Sequence, residues 1–325
     1  MPGVRALLVV NPNATTTTAA GRDVLAHALA SELKLEVLET AHRGHAAAAA
    51  EQAVQDGVEL LVVHGGDGTL NEVVNGVLTA TGGPLADPED GPAVAVVPGG
   101  SANVFARALG LSRDPMVATS TILAALAARR SRLVGLGRAV GVHTPSTGAP
   151  QDRWFTFNAG MGWDAEVVAE VERARAAGRE ATPLRYAGTA LRHYLRQRRR
   201  PRSMAVEIPG SGPVPDVRVA FVSNTDTWTY LGSRAVRTNP GTSFAAGLGL
   251  FGLRDLRAST IAPTLRRMLT AGGDPGGRNV VRRDDVALLT VRSAEPIAVQ
   301  VDGDHLGEHH EVQFRAVSDA LRVVV

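Results

Sequence analysis

Gly65-Gly66-Asp67-Gly68-Thr69-Leu70-Asn71-Glu72 is the stretch of this sequence best suited to hold an anion. It follows the continuous apolar run Glu59–His64 and precedes a helical pattern over Leu70–Thr79. Glycines let a backbone turn tightly and approach a ligand, and the amides of such a turn, with the positive end of the next helix, cradle phosphate. Asp67 repels phosphate, so it reads either as a Mg²⁺ ligand, direct or through water, or as an organiser of the loop. Thr69 and Asn71 either cap the helix or bond phosphate oxygens. Alone, the segment also suits an ordinary strand-to-helix turn. Two further loops have the same character. Pro98-Gly99-Gly100-Ser101-Ala102-Asn103 follows the strand pattern Ala93–Val97, and Asn11-Pro12-Asn13-Ala14-Thr15 follows Arg5–Val10. Ser101 is placed to cap a helix or to meet a phosphate or ribose oxygen. Strand ends of one parallel sheet put their loops at one edge, which predicts a nucleotide-sized polar cleft there.

Far along the chain, Val301-Asp302-Gly303-Asp304 places two acids in a glycine-containing turn. Asp-Gly is also a common hairpin turn, so spacing alone leaves both readings open. Arg107 is placed either to balance phosphate charge or as a surface helix arginine. His64 reads as a packing or hydrogen-bonding residue. His309-His310 reads as a surface pair, since neighbours in a strand point to opposite faces.

The elements that must position these residues fall into two patterns. Residues 1–131 alternate strand and helix: Arg5–Val10, Ala19–Leu33, Leu35–Leu38, His45–Gln55, Glu59–His64, Leu70–Thr79, Ala93–Val97, Ala102–Leu109 and Val117–Ala128. Continuous apolar strands separated by helices predict an α/β domain with a parallel sheet covered on both faces. Residues 132–318 carry strand patterns at Leu133–Val140, Trp154–Ala159, Met204–Ile208, Val217–Val222, Val286–Val291, Ile297–Val301 and Val312–Phe314. These predict a mainly antiparallel, β-sandwich-like second domain. Helices are expected at Ala165–Ala177, Leu184–Gln197 and Ala262–Thr270, the first two in an insertion over 163–202. The last strand, Leu321–Val325, is left to either domain. Phe244–Leu253, small and apolar, suits a lipid-lining wall or ordinary core equally.

Composition narrows the chemistry. The 325 residues are 44% hydrophobic and 20% charged, as in a globular protein. The chain has no cysteine, which excludes disulfides, thiolate metal sites and a cysteine nucleophile. Lys34 is the only lysine and lies outside the glycine loops, which excludes a P-loop lysine, a protein-kinase strand lysine and a Schiff base. The net charge of +2 hides an asymmetry. Arg173 to Arg202 holds ten arginines against Glu180, a net of +9, which leaves −7 for the rest. With Tyr186, Leu191, Tyr194 and Leu195 interleaved, this predicts a helix suited to an anionic membrane, where nucleic acid or plain solvent are the competing readings. No run approaches a membrane span, and Ala6–Val10 is too short for a secretory segment. The expected location is cytoplasmic, peripheral to the inner membrane face.

Taken in order, Asn11-Pro12-Asn13, Gly65 to Glu72, Pro98 to Arg107 and Val301-Asp302-Gly303-Asp304 resemble the motif series of the diacylglycerol kinase catalytic-domain family. That family includes bacterial diacylglycerol kinases and the sphingosine and ceramide kinases. The resemblance is specific in the first domain and looser in the second. It implies a two-domain ATP-dependent lipid kinase, with ATP and Mg²⁺ in a cleft between the domains and a lipid alcohol, foremost diacylglycerol, as acceptor. Carried over by position, nucleotide contacts fall on Asn11, Asn13, Thr40, Gly65, Gly66, Asp67, Gly68, Thr69 and Ser101, with Asn71 and Asn103 beside them. Asp67 and Asp302 become the metal acids, and Asp304 takes the place of the catalytic glutamate. Asp304 is one methylene shorter than that glutamate, and Val104 stands where many members carry an aspartate. Asn239-Pro240-Gly241 through Gly247-Leu248-Gly249-Leu250 lacks the acids of the family's structural Mg²⁺ site, so no second metal is expected. Nucleic acid is not an expected partner, and oligomeric state is not legible. A kinase of a soluble acceptor such as NAD, and a non-catalytic ATP- or lipid-binding regulator, are the alternatives.

Overall fold

The computed structural model describes residues 3–85, 87, 90–143, 150–162, 165–166, 203–270 and 272–325. The chain divides into two compact units. The first comprises Met1–Leu136, Tyr230–Ser233 and Ser318–Val325, and the second Gly137–Thr229 and Arg234–Val317. The expected basic segment Arg173–Arg202, with the helices expected at Leu184–Gln197 and, beyond Glu166, at Ala165–Ala177, lies outside the described residues.

The first unit contains β1 (Arg5–Val10), α1 (Ala19–Ala30), β2 (Lys34–Glu39), α2 (His45–Gln55), β3 (Leu60–Gly65), α3 (Asp67–Ala80), β4 (Ala93–Pro98), α4 (Val104–Ala108) and α5 (Pro115–Ala127). Strands pair in the order β2–β1–β3–β4, all parallel. Every residue of β3 and β4 is buried, as continuous apolar strands require. Register aligns Val10 with both Glu39 and His64, and Gly65 with Pro98, so the carboxyl ends of all four strands share one edge. The alanine-rich α2 has a packing reason. A Cβ on Gly76 of α3 would lie 2.3 Å from the carbonyl oxygen of Ala47, so the two helices meet backbone to backbone. Asp114 starts α5 by accepting from the amides of Met116 and Val117, with Pro115 in the first turn.

The second unit contains β5 (Arg132–His143, entering from the first), β6 (Pro150–Phe155), β7 (Asn158–Gly162), β8 (Met204–Glu207), β9 (Val214–Val217), β10 (Val219–Ser223), β11 (Thr227–Leu231, whose last two residues belong to the first), β12 (Arg234–Arg237), β13 (Leu248–Leu253), α6 (Ala258–Leu269), β14 (Val280–Val286), β15 (Leu288–Val301) and β16 (Asp304–Val323, whose end from Ser318 belongs to the first). Its pairs are antiparallel, running β14–β13–β10–β7–β15–β16, with β8 beside β15 and β9 beside β8. The core gathers Phe155, Met161, Leu250 and Phe314. Phe155 and Phe314 meet edge to face at 6.1 Å. Gly137 is obligatory there, since its Cβ would sit 2.0 Å from the Phe155 ring.

Several expectations change. The strand expected over Trp154–Ala159 is two strands, broken at Thr156–Phe157 by a buried carboxylate described below. Val217–Val222 is likewise split at Arg218. The strand expected over Val286–Val291 is cut at Ala287: Val286 ends β14, while Leu288–Val291 and Ile297–Val301 are parts of one strand, which carries Pro296 through a register shift against β16, where a bulge tolerates proline. Val312–Phe314 extends to 20 residues. Phe244–Leu253 is core rather than a lining wall: β13 is buried throughout, between β10 and β14. The strand β14 has no apolar signature because it ends the strand order and exposes its polar face. The final strand returns to the first unit, with Val323 paired parallel to Val94. Of the histidine pair only His310 is exposed. His309 is buried against the carbonyl oxygen of Leu306 at 3.2 Å. Among the described residues no helix is long and apolar enough to cross a membrane.

Candidate active site

The loops after β1, β3 and β4 are bonded to one another. The amide of Asn11 donates to the carbonyl of His64 at 3.0 Å, and its Nδ2 donates to Thr69 Oγ1 at 3.0 Å. The amide of Thr16 donates to the carbonyl of Gly99, and that of Gly99 to the carbonyl of Gly65, both at 2.8 Å. Asn13 folds back to Asn11, its amide donating to Asn11 Oδ1 at 3.0 Å. Thr40 follows β2 at the same edge, its amide donating to the carbonyl of Val10 at 2.8 Å. Ser101 is exposed at the loop surface. The three glycine- or asparagine-bearing loops thus meet where the strand pattern put them.

The glycines divide into two kinds. A Cβ on Gly100 would lie 2.7 Å from the Gly66 Cα, one on Gly99 3.0 Å from the Gly65 Cα, and one on Gly65 2.8 Å from Thr69 Oγ1. These glycines let loop pack on loop. Gly68 differs: it lies in the exposed first turn of α3, and a Cβ there would meet nothing within 4 Å. A helical glycine costs about 1 kcal/mol against alanine, and protein packing gives no reason for this one. The first-turn amides of a helix are free of intrahelical partners and carry partial positive charge. Gly68 therefore leaves room for an anion at the start of α3.

Asp67 is the first residue of α3, half-buried, and Oδ1 accepts from the amide of Phe105 at 3.3 Å. It ties the start of α3 to the start of α4. Two expected nucleotide contacts change role. Asn71 is 0% exposed and its Oδ1 accepts from Asn75 Nδ2 at 3.1 Å, so it lies inside the unit, away from the loop surface. Asn103, with φ 49°, closes its own loop: Oδ1 accepts from the amide of Gly100 at 2.9 Å and Nδ2 donates to the carbonyl of Gly100 at 2.7 Å. Arg107 donates to the carbonyls of Gly232 and Ser233 at 3.3 and 3.2 Å and lies over the Tyr230 ring. Its cation holds a hairpin tip, and burial lowers its pKa from the ordinary guanidinium value against the opposing pull of Tyr230 and Asp67. His64 is buried, its Nδ1–H donating to the carbonyl of Val97 at 3.3 Å, and burial lowers its pKa from 6.5.

In the second unit Asp302 and Gly303 form a two-residue hairpin turn between β15 and β16, with φ of 47° and 87° and Val301 paired to Asp304. The plain-turn reading and the two-acid reading are both met, but the acids differ. Asp302 Oδ2 accepts from the amide and hydroxyl of Thr156 at 2.6 and 2.8 Å. Oδ1 accepts from the amides of Phe157 and Asn158 at 3.1 and 3.0 Å. Four donors occupy the acceptor sites of a carboxylate. The expected metal role for Asp302 therefore gives way to a structural one: it breaks the strand at 156–157 and anchors the break to the turn. Burial raises the Asp302 carboxyl above its ordinary value, against those four donors, which favour the charged form. Gln300 completes the network, donating to Asn158 Oδ1 at 3.1 Å and accepting from the amide of Gly303 at 2.8 Å. Asp304, first residue of β16, keeps a partly exposed side chain and pairs with Arg153 at 3.2 Å. Arg153 and Thr156 were missed in the sequence, because their partners lie 151 and 146 positions away.

Known proteins agree with the fold. Residues 5–135 match the family described as the diacylglycerol kinase catalytic domain. A diacylglycerol kinase of Bacillus subtilis is 34% identical over 128 residues, 37% of this chain and 38% of that protein. One from Staphylococcus carnosus is 40% identical over 84 residues, 26% of this chain and 25% of that protein. The alignments thus span well under half of these relatives. The crystal structure of a diacylglycerol kinase from Bacillus anthracis str. Sterne superposes with a TM-score of 0.69 and 17% identity, covering 99% of this chain and 96% of that one. Residues 5–135 of this chain are thus similar to the diacylglycerol kinase catalytic domain, and the likeness in fold extends through the strand-rich second unit.

Proposed function

We propose that the protein is an ATP-dependent lipid kinase that transfers the γ-phosphoryl group of ATP to a lipid hydroxyl, foremost that of diacylglycerol. The observation that carries this reading is the bonded trio of loops at one sheet edge, with Gly68 leaving open space at the start of α3. Phosphoryl transfer demands positioning and charge neutralisation more than covalent chemistry. In this reading the amides of residues 65–69 hold phosphate oxygens in the place a lysine takes in other kinases, and Asn11, Asn13, Thr40 and Ser101 border the nucleotide. Mg²⁺ commonly takes one or two carboxylates and fills its shell with phosphates and water. Asp67 fits that demand, while no cluster of three or more acidic, histidine or cysteine residues exists among the described residues to hold a metal by protein alone. The ion, when bound, neutralises phosphate charge. Asp304 takes the proton of the attacking hydroxyl, and Arg153 holds its carboxylate in one orientation.

The test is a labelled-ATP assay with diacylglycerol, sphingoid base, NAD⁺ and no acceptor. Phosphorylated diacylglycerol is the expected product, and Asp304→Asn is expected to slow it by about 10²–10⁴-fold with ATP binding retained. An Asp304→Asn protein as fast as the parent removes Asp304 from the reaction. Product from NAD⁺ alone assigns a soluble acceptor, and ATP binding without turnover on any acceptor assigns a regulator.

A further inference from the structure

The loop between β2 and α2 holds two histidines that neither the core nor the proposed reaction uses. His42 and His45 lie face to face, with ring centroids 5.0 Å apart and planes 12° from parallel. His42 is exposed and His45 half-buried. An exposed side chain ordinarily keeps its rotamer freedom, yet a backbone group pins each of these rings. The amide of Ala41 donates to His45 Nδ1 at 3.0 Å, so His45 carries its hydrogen on Nε2. A carbonyl only accepts, so the contact of His42 Nδ1 with the carbonyl of Arg43, at 2.9 Å, places a hydrogen on His42 Nδ1.

The loop itself is held from α3. Glu72, the last residue of the glycine-bearing segment, accepts from the amide of Gly44 at 2.9 Å through Oε1 and from that of Ala46 at 3.2 Å through Oε2. Gly44, with φ 84°, brings no side chain to cap α2, and the Glu72 carboxylate does so in its place. On the other side the amide of Thr40 is bonded to Val10, the neighbour of Asn11. Glu72 follows Gly68 by one turn of α3, a rise of about 6 Å. The histidine pair is thus tied to the strand edge and to the helix whose open start faces the phosphate position.

Packing explains Glu72 and Gly44 but not the rings. The helix α2 meets the rest of the unit through Ala46, Ala49, Ala50 and Ala53, and the His42 ring stands outside that contact with one face on His45. We propose that His42, backed by His45, is the stacking surface for the base of the nucleotide whose phosphates lie at Gly68. The inference deepens the kinase reading and rests on it. A pinned pair of flat rings offers a base a π-face with little ordering left to lose on binding. Stacking tolerates different bases, so GTP is expected to use the same surface as ATP.

The test is calorimetry of the full chain with the Mg²⁺ complexes of ATP, GTP and inorganic tripolyphosphate. His42→Ala is expected to weaken ATP and GTP at least about fivefold, with tripolyphosphate binding and the melting temperature unchanged. His42→Phe keeps a flat ring and is expected to bring ATP back to within about twofold of the parent. In His42→Trp, ATP is expected to quench the added indole emission and tripolyphosphate to leave it unchanged. Undiminished ATP binding by His42→Ala, in a parent that binds ATP, overturns this inference alone. So does an equal loss of tripolyphosphate, which makes the loop a support for the phosphate site. A loss of ATP that phenylalanine does not restore also overturns it, because His42 is then a hydrogen-bonding contact. A parent that binds no ATP overturns the kinase reading, and this inference with it.

Discussion

In the first unit the candidate loops leave the ends of buried parallel strands and are joined mostly backbone to backbone, with side-chain ties from Asn11 to Thr69 and from Asp67 to Phe105. In the second unit the candidate acid sits beside a turn held by a buried carboxylate that reaches 146 positions back to Thr156. The first arrangement depends on what is missing: side chains at Gly65, Gly66, Gly99 and Gly100. The second depends on what is present: a charge whose burial is tolerable only because four donors meet it. A backbone site of the first kind tolerates polar change around it and fails on a single methyl. A site of the second kind tolerates bulk at its rim and fails when one buried acceptor is lost.

Asp302→Ala tests that contrast most strongly. It strands the amides of Thr156, Phe157 and Asn158 without their acceptor, and is expected to cost roughly 3–5 kcal/mol in denaturant unfolding. A loss under about 1 kcal/mol removes the anchoring role. Gly100→Ala comes next. Its methyl must push against the Gly66 backbone, at about 1–3 kcal/mol of stability, and ATP binding is expected to weaken with it. Gly68→Ala sharpens the comparison, because stability and binding should part company. The fold is expected to hold or gain up to about 1 kcal/mol, while calorimetry shows ATP bound at least about tenfold more weakly. Unchanged ATP affinity would mean that the open space at Gly68 serves no ligand.

The smallest effect is a pH dependence. Burial depresses the His64 pKa in the folded state, so the folded chain binds fewer protons than the unfolded chain below about pH 6.5. The contribution of His64 is full above that pH and is lost as pH falls through the depressed folded value. His64→Gln is expected to flatten the acid side of the stability curve. A parent curve that is flat between pH 6.5 and 5 contradicts the burial argument.

The parallel sheet, its edge and its loops were legible because each is written locally: a run such as Leu60–Val63 has only one way to be buried, and glycines follow it at once. The second unit was legible in kind and blurred in detail. Trp154–Ala159 reads as one strand until Asp302 is seen to break it, and β14 carries no strand expectation before Val286 because an edge strand needs no apolar alternation. Asn71 and Asn103 match a motif by position, yet one points into the core and the other closes its own loop.

The amino-acid sequence by itself determined the α/β class, the meeting of three loops at one strand edge, the absence of lysine chemistry and the two acids of the 302–304 turn. Strand period, glycine placement and composition are local quantities that no distant residue can change. Only the tertiary structure decided which acid is a buried anchor and which stays partly exposed, that Arg153 holds Asp304, that the final strand returns to β4, and that Gly68 alone of its loop faces open space. Those distinctions depend on which donors and which backbone arrive from more than a hundred positions away or across a loop, and burial assigns them only once the chain has folded.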